Sequence, residues 1–270
     1  MTTQKTALGA LLAQGRTADI YALGRDAVIK VLRSGFPGEL IQIEADKTRA
    51  VAAMGVPVPR ILDVTAVDGR PALVVERVDG DSLVTRLLSR PQHMVPLARF
   101  LGDLHADLAG VRIDALPSLK TKLAERIHTA ADLSADVKQC AQSHLSVLPE
   151  NGGLCHGDFH PGNIILGARG PVIIDWLDAT RGPGAADAAR SHLLLSFAPP
   201  PKDLGLLHRT AVALGRTLFG RLYLARYRQR TGVDTDTLAA WTPVVAAARL
   251  SERIDGEAGQ LMALIEKELG

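Results

Sequence analysis

The sequence predicts an α+β protein in two parts: a small antiparallel sheet with one helix packed on it, then a larger, mainly helical part. Three observations carry this. Residues 1–78 read as strand, strand, helix, strand, strand. After Asp79-Gly80 the apolar spacing becomes helical. A short β-rich stretch returns only at 154–175. The expected division separates 1–78 from 79–270, with a hinge rather than a long linker between them. The chain has 270 residues, enough for two such parts at a prior of ~150 residues per domain.

Each element follows from local signals. Residues 19–23 (DIYAL) and 27–32 (AVIKVL) are β-type runs joined by the turn Gly24-Arg25-Asp26. Residues 38–54 read as a helix that Gly55 ends, and Pro57 and Pro59 prevent its restart. Residues 61–66 and 72–78 flank Asp68-Gly69, a strong hairpin signal. In 97–108, Leu97, Phe100, Leu101, Leu104 and Leu108 share one helical face, with Arg99, Asp103 and Asp107 on the far one. Two more helices are expected at 117–129 and 132–148, ended by Pro149 and Gly152-Gly153. From 184 the pattern is helical again, broken at Pro199-Pro200-Pro201.

Composition excludes several function classes. Hydrophobic content of 47% and charged content of 22% argue against a disordered chain. Lys+Arg number 31 against 29 Asp+Glu, without a long basic run, and aromatics are only 4%. No nucleic-acid partner is therefore expected. The densest basic group, Arg221, Arg226, Arg228 and Arg230, reads as a solvated helix face. Two cysteines, Cys140 and Cys155, make a disulfide framework improbable. The start MTTQKTALGALLAQG is a poor signal peptide, and no apolar run reaches the ~18 residues a membrane span needs. The expectation is a soluble protein of the reducing cytoplasm with no membrane partner.

The chemistry concentrates in Cys155-His156-Gly157-Asp158-Phe159-His160-Pro161-Gly162-Asn163, followed by Val172-Ile173-Ile174-Asp175-Trp176. Asp158 and Asn163 stand in a loop pinned by Gly157, Pro161 and Gly162. The Gly167–Gly170 turn lets 163–167 and 171–175 pair as a hairpin, which folds Asp175 back towards Asn163. Two carboxylates and a carboxamide are then expected to converge. Such hard oxygen ligands suit Mg²⁺, which keeps waters and shares its shell with phosphates. Earlier in the chain, Lys30 stands in an otherwise apolar strand, where it loses hydration and needs a partner. Glu44 shares a helix face with Leu40 and Val51, which makes it the natural partner of Lys30.

The pattern HGDxHxxN followed by IDW resembles the aminoglycoside phosphotransferase/choline kinase group, small-molecule relatives of the protein kinases. The resemblance implies a bilobal, protein-kinase-like fold. It also implies transfer of the γ-phosphoryl group of ATP (or GTP), with Mg²⁺, to a hydroxyl of a small molecule. By that resemblance Asp158 is the catalytic residue, Asn163 and Asp175 hold the metal, and Lys30, fixed by Glu44, meets the phosphates. Gly15 and Thr17 would cover the phosphates or form an ordinary strand–strand turn, since the segment has one Gly rather than G-x-G-x-x-G. Glu76 and Val78 fall at the hinge that reads the adenine edge through backbone groups, with Val28, Val75 and Ile174 as walls for the base. No Gly-Lys dipeptide occurs, which excludes a P-loop kinase.

The remaining polar residues divide into structural and functional readings. His156 is expected to orient the loop, His160 either to touch the transferred phosphoryl group or not, and His105 to be a satisfied core histidine. Cys155 reads as a small buried strand residue. Asp187 favours the positive end of its helix or anchors the catalytic segment through an Arg. A polycationic acceptor would want an acidic pocket. The stretch from Trp176 on is not acidic overall, but Asp234, Asp236, Glu252, Asp255 and Glu257 offer a local cluster. Choline, sugar, amino-acid and other antibiotic kinases share the scaffold, so fold does not choose the acceptor. A catalytically silent kinase-like binding module is the reading from another class, and the intact Lys30, Asp158, Asn163 and Asp175 argue against it. A protein kinase is disfavoured, because Asp175-Trp176-Leu177 replaces D-F-G and no A-P-E follows.

Overall fold

The structure, a computed structural model, describes residues 8–197 and 205–269. The first seven residues and the Pro199-Pro200-Pro201 break lie outside the described residues. In chain order the elements begin β1 (Leu11–Gln14), β2 (Ala18–Leu23), β3 (Ala27–Leu32), α1 (Glu39–Ala53), β4 (Ile61–Val67), β5 (Arg70–Glu76) and β6 (Gly80–Ser82). Then follow α2 (Leu83–Ser89), α3 (Met94–Ala109), α4 (Leu119–Thr129), α5 (Ala135–Val147), β7 (Gly153–Cys155), β8 (Ile164–Gly167) and β9 (Gly170–Ile173). The chain closes with β10 (Thr180–Gly182), α6 (Gly184–Phe197), α7 (Leu206–Thr231), α8 (Thr235–Leu250) and α9 (Ala258–Leu269). Two compact units result. The first runs to Thr85 and takes in Gly162–Asp178, and the second holds Arg86–Pro161 and the chain from Ala179 on.

The first unit is built on an antiparallel sheet of order β1-β2-β3-β5-β4. Its edge strand β1 adds to the four strands expected. All four of its residues are exposed, so it carries no apolar alternation to read. Asp68 (φ 48°) and Gly69 (φ 78°) both take the left-handed conformation that closes the β4–β5 hairpin. Alternation in β3 sends Ile29 and Val31 to one face, against Val67, Ala72 and Val74. It sends Leu32 to the other face, against Ile41 and Ala45 of α1 and Leu73. Lys30 falls on that second face by the same period of two. Helix α1 buries Ile41, Glu44, Ala45, Thr48 and Val51, the three-and-four spacing of one helical stripe. A second sheet, β6-β8-β9, joins residues 80–82 to the β8–β9 hairpin in the register Gly80↔Gly167 to Ser82↔Ile165. This pairing is why residues 79–85 and 162–178 belong to the first unit.

In the second unit Leu123, Ile127, Leu145, Leu193, Trp241, Val244 and Ile265 form the core. Ser118, Ser134 and Asp234 start α4, α5 and α8 by accepting the N–H of Thr121, Val137 and Thr237. Strand β7 pairs with β10, Cys155 opposite Thr180. Helices α3 and α7 approach closely at Gly102, where a Cβ would lie 2.7 Å from the Tyr223 carbonyl oxygen. Gly102→Ala is expected to destabilise the protein by ~1–3 kcal/mol through overpacking, read as a lowered Tm. The same two helices are tied by Arg226 to Asp103 (2.8 Å) and by Arg230 to Asp103 (2.7 Å) and Asp107 (2.8 Å). Two members of the arginine group expected to be merely solvated are thus paired, because α3 offers its acidic face to α7.

Candidate active site

In the first unit Lys30, Glu44 and Asp175 meet. The Lys30 Nζ lies 2.8 Å from both carboxylate oxygens of Glu44 and 3.1 Å from Oδ1 of Asp175. Burial works against the Lys30 ammonium, but the carboxylates of Glu44 and Asp175 outweigh it and hold its pKa above the ordinary value. Burial pushes the Glu44 carboxyl up, against the pull of Lys30. The hairpin register Ile164↔Ile173 extends to a hydrogen bond from the Ile174 N–H to the Asn163 carbonyl, 3.0 Å. Asn163 is therefore one residue across from Asp175, and it is buried. Asp175 itself adopts φ 65°, a left-handed conformation uncommon for a residue with a side chain. Two further contacts hold its neighbours: the Trp176 indole donates to the Ile173 carbonyl (2.9 Å) and Lys47 to the Leu177 carbonyl (2.8 Å). Lys47 was not singled out in the sequence, since an exposed-type Lys on a helix carries no signal of its target.

A cleft of about 340 Å³ opens in this unit. Lys30, Glu44 and Asp175 line it, with Val28, Val75 and Ile174 as apolar walls and Glu76 and Val78 at its margin. Among the described residues the Val78 N–H and C=O form no hydrogen bond. The Glu76 carboxylate is drawn to Arg60 (3.0 Å), which lowers its pKa. Gly15 and Thr17 form the tight β1–β2 turn, with the Gly15 N–H donated to the Ala18 carbonyl (2.8 Å), and Leu12, Ala13 and Ile20 beside it line the cleft.

Asp158 lies in the second unit. Its N–H is donated to Nδ1 of His156 (3.1 Å), and its Oδ2 stands 3.5 Å from Nε2 of His160. Burial alone would raise the Asp158 carboxyl. The His160 hydrogen bond and the positive fields of His160 and Arg190 overcome this and hold it well below the usual carboxylate range. The loop is gripped from behind by Asp187, which accepts the N–H of His156 (2.6 Å) and of Gly157 (2.9 Å). His105 is fully buried between Asp187 (3.0 Å) and the Tyr223 hydroxyl (2.6 Å), a satisfied core histidine. Because Asp187 only accepts, Nε2 of His105 carries a proton on that side. Asp187 thus anchors the segment through backbone amides directly. Arg190 also reaches it, by donating its Nε to the Gly157 carbonyl.

Three of the five acids read as a local cluster are already engaged. Glu252 pairs with Arg190 (2.7 Å), Arg126 (3.0 Å) and Arg249 (3.2 Å), and Glu257 takes Arg249 through both oxygens (2.6 and 2.8 Å). Asp234 is spent on the cap of α8. Charge in the sequence showed these acids but not the arginines that claim them.

An antiparallel sheet whose buried lysine is held by a helix glutamate, together with a mainly helical unit carrying an Asp loop, defines a protein-kinase-like α+β fold. The model of the Phosphotransferase enzyme family matches residues 9–241, and the chain belongs to that family. No curated protein matches it by sequence. Solved structures do match in fold. A thermostable mutant of aminoglycoside phosphotransferase APH(4)-Ia, in ternary complex with ADP and hygromycin B, is 16% identical with a TM-score of 0.65, over 97% of this chain and 94% of that one. Aminoglycoside-3'-phosphotransferase of type VIII is 19% identical with a TM-score of 0.60, over 90% and 92%. The GDP complex of aminoglycoside 2'-phosphotransferase-IIIa is 14% identical with a TM-score of 0.59, over 98% and 94%.

Proposed function

We propose that this phosphotransferase moves the γ-phosphoryl group of ATP, or of GTP, to a hydroxyl of a small molecule, with Mg²⁺ as cofactor. The observation that carries the reading is the lysine held by two carboxylate oxygens of Glu44 and by Asp175 in a cleft with apolar walls. The complexes of the fold relatives with ADP and hygromycin B and with GDP support the same class of substrates. The nucleotide-binding lobe read as residues 1–78 takes in 79–85 and 162–178 as well, and the rest serves as the catalytic and substrate-binding lobe. Val28, Val75 and Ile174 sandwich the base, and the open backbone groups of Val78 read its edge. Lys30 positions the phosphates. The donors Asn163, a carboxamide, and Asp175, a carboxylate that also holds Lys30 in the cleft, fit Mg²⁺, which uses one or two carboxylates plus phosphates and water. When bound, the ion supplies neutralisation of the phosphate charge. Asp158, ionised, orients the acceptor hydroxyl and takes its proton late, since the transition state is largely dissociative.

The first-choice acceptor is an aminoglycoside, with choline-, sugar- and amino-acid-type hydroxyls and other antibiotics behind it. Two free cysteines support a cytoplasmic setting, and no helix among the described residues is long and apolar enough to cross a membrane. The test is purified protein with γ-labelled ATP or GTP, Mg²⁺ and an acceptor panel covering these classes. The expected result is label in one acceptor, abolished by chelating the metal. No label in any acceptor, with or without a melting shift on adding nucleotide, would identify a silent module instead.

A further inference from the structure

A group of buried ion pairs in the second unit has no part in the proposed chemistry, yet it ends on the catalytic loop. Arginines from three helices, Arg126 of α4, Arg190 of α6 and Arg249 of α8, converge on Glu252 in the turn after α8. Glu252 is 9% exposed, Arg190 8% and Arg249 4%. Glu257, 1% exposed, closes the group on Arg249. The turn that carries Glu252 includes Arg253 at φ 50°, a left-handed conformation unfavourable for a bulky side chain. Buried ion pairs give little net stability against apolar packing of the same volume, because desolvation offsets their attraction. A role in placing a group accounts for this one better. Arg190 spans the two ends, with Nη2 on Glu252 and Nε on the carbonyl of Gly157, the residue before Asp158. The family match ends at residue 241, so Glu252 and Glu257 lie beyond it.

We infer that Glu252 is a positioning residue for Asp158, acting through Arg190, so that the segment after α8 belongs to the catalytic apparatus of this chain. Glu252 fixes the guanidinium plane, the guanidinium fixes the Gly157 carbonyl, and the peptide between Gly157 and Asp158 then has one orientation. Small misplacements of a reacting group cost about 10²-fold in rate. This inference rests on the assignment of Asp158 for its kinetic consequence, but not for its structural one.

The experiment compares wild type, Glu252→Gln and, as a control of similar kind, Arg226→Met, which breaks an ion pair elsewhere in the unit. Amide hydrogen exchange of residues 155–160 is expected to quicken about tenfold in Glu252→Gln, at temperatures where the protein stays folded, and not in Arg226→Met. With an acceptor in hand, kcat falls about 10²-fold while the KM for nucleotide stays. If Glu252→Gln does not fold, Arg190→Lys replaces it: one ammonium keeps the charge but cannot bridge Glu252 and the Gly157 carbonyl, and the same exchange and kcat changes are expected. Unchanged exchange at 155–160 in a folded variant overturns the inference whatever the assay shows. Quickened exchange in a protein with no phosphotransfer overturns the proposed function and leaves the positioning intact.

Discussion

Asp158→Asn is expected to lower kcat by ~10²–10⁴-fold, with the fold intact, the KM for nucleotide close to wild type and Tm lowered at neutral pH. Asparagine keeps the shape of the side chain and removes the proton acceptor. The carboxylate it replaces is held ionised by its neighbours: His160 at 3.5 Å and the field of Arg190 outweigh a burial that works the other way. The sign of the pH dependence follows. The folded-state pKa is depressed, so the base stays ionised down to acid pH, and the acid limb of kcat lies below the ordinary Asp value of ~3.9. His160→Gln removes the largest of the lowering influences and moves that limb to higher pH. For the same reason Asp158 contributes stability that is present above its unfolded pKa and is lost as pH falls through the folded one. A kcat–pH profile of wild type and His160→Gln, with single-point rates for Asp158→Asn, checks all three. An Asn variant with wild-type turnover, or a limb unmoved by His160→Gln, would remove Asp158 from the mechanism.

What could be read from the sequence was local. The strands on either side of Gly24 and Asp68-Gly69 follow from alternation and turn chemistry, and α1 from its stripe. Lys30 stood out as the one charge in an otherwise apolar strand and Glu44 as a charge on an apolar helix face, and the structure puts both at the same sheet–helix interface. The Asn163–Asp175 neighbourhood followed from a short hairpin. Partners distant along the chain were not legible. Asp187 could be placed early in a helix, but nothing local says that its two oxygens receive backbone amides of residues 156 and 157. Glu252 looked like a free acid because two of its arginines, Arg126 and Arg190, come from helices far away in the chain. The pairing of β6 with β8, which draws residues 162–178 into the first unit, joins segments some eighty residues apart. Strand β1 escaped because an exposed edge strand needs no pattern. The phosphate-covering role read for Gly15 and Thr17 rested on family position alone, and the turn they form spends the Gly15 N–H internally.

Lys30→Met is expected to destabilise the protein by roughly 3 kcal/mol, the lower end of what breaking a buried pair costs, and to abolish transfer. The lysine side chain is 13% exposed and Glu44 7%. Methionine fills most of the volume but leaves the Glu44 carboxylate desolvated with no ammonium on either oxygen. Asp175, at 42% exposed, keeps its hydration and adds little to the loss. Glu44→Leu strands the ammonium in the same way, softened by the remaining contact with Asp175. The double variant Lys30→Met, Glu44→Leu then replaces a charged pair by apolar atoms beside Ile41, Leu73 and Val75. It is expected to be more stable than either single variant, because two desolvation costs vanish together. Urea unfolding of the four proteins gives the coupling energy directly. Strictly additive losses would mean that the pair is not the unit that the 2.8 Å contacts make it. The raised Lys30 pKa adds a direction: its contribution is fully present at neutral pH, below the unfolded value, and is lost only as pH climbs through the folded one. Stability recovered in the double variant without recovered phosphotransfer would therefore separate two jobs of one lysine. The fold needs only that the cavity be filled and neutral, whereas the reaction needs a cation that Glu44 has already oriented.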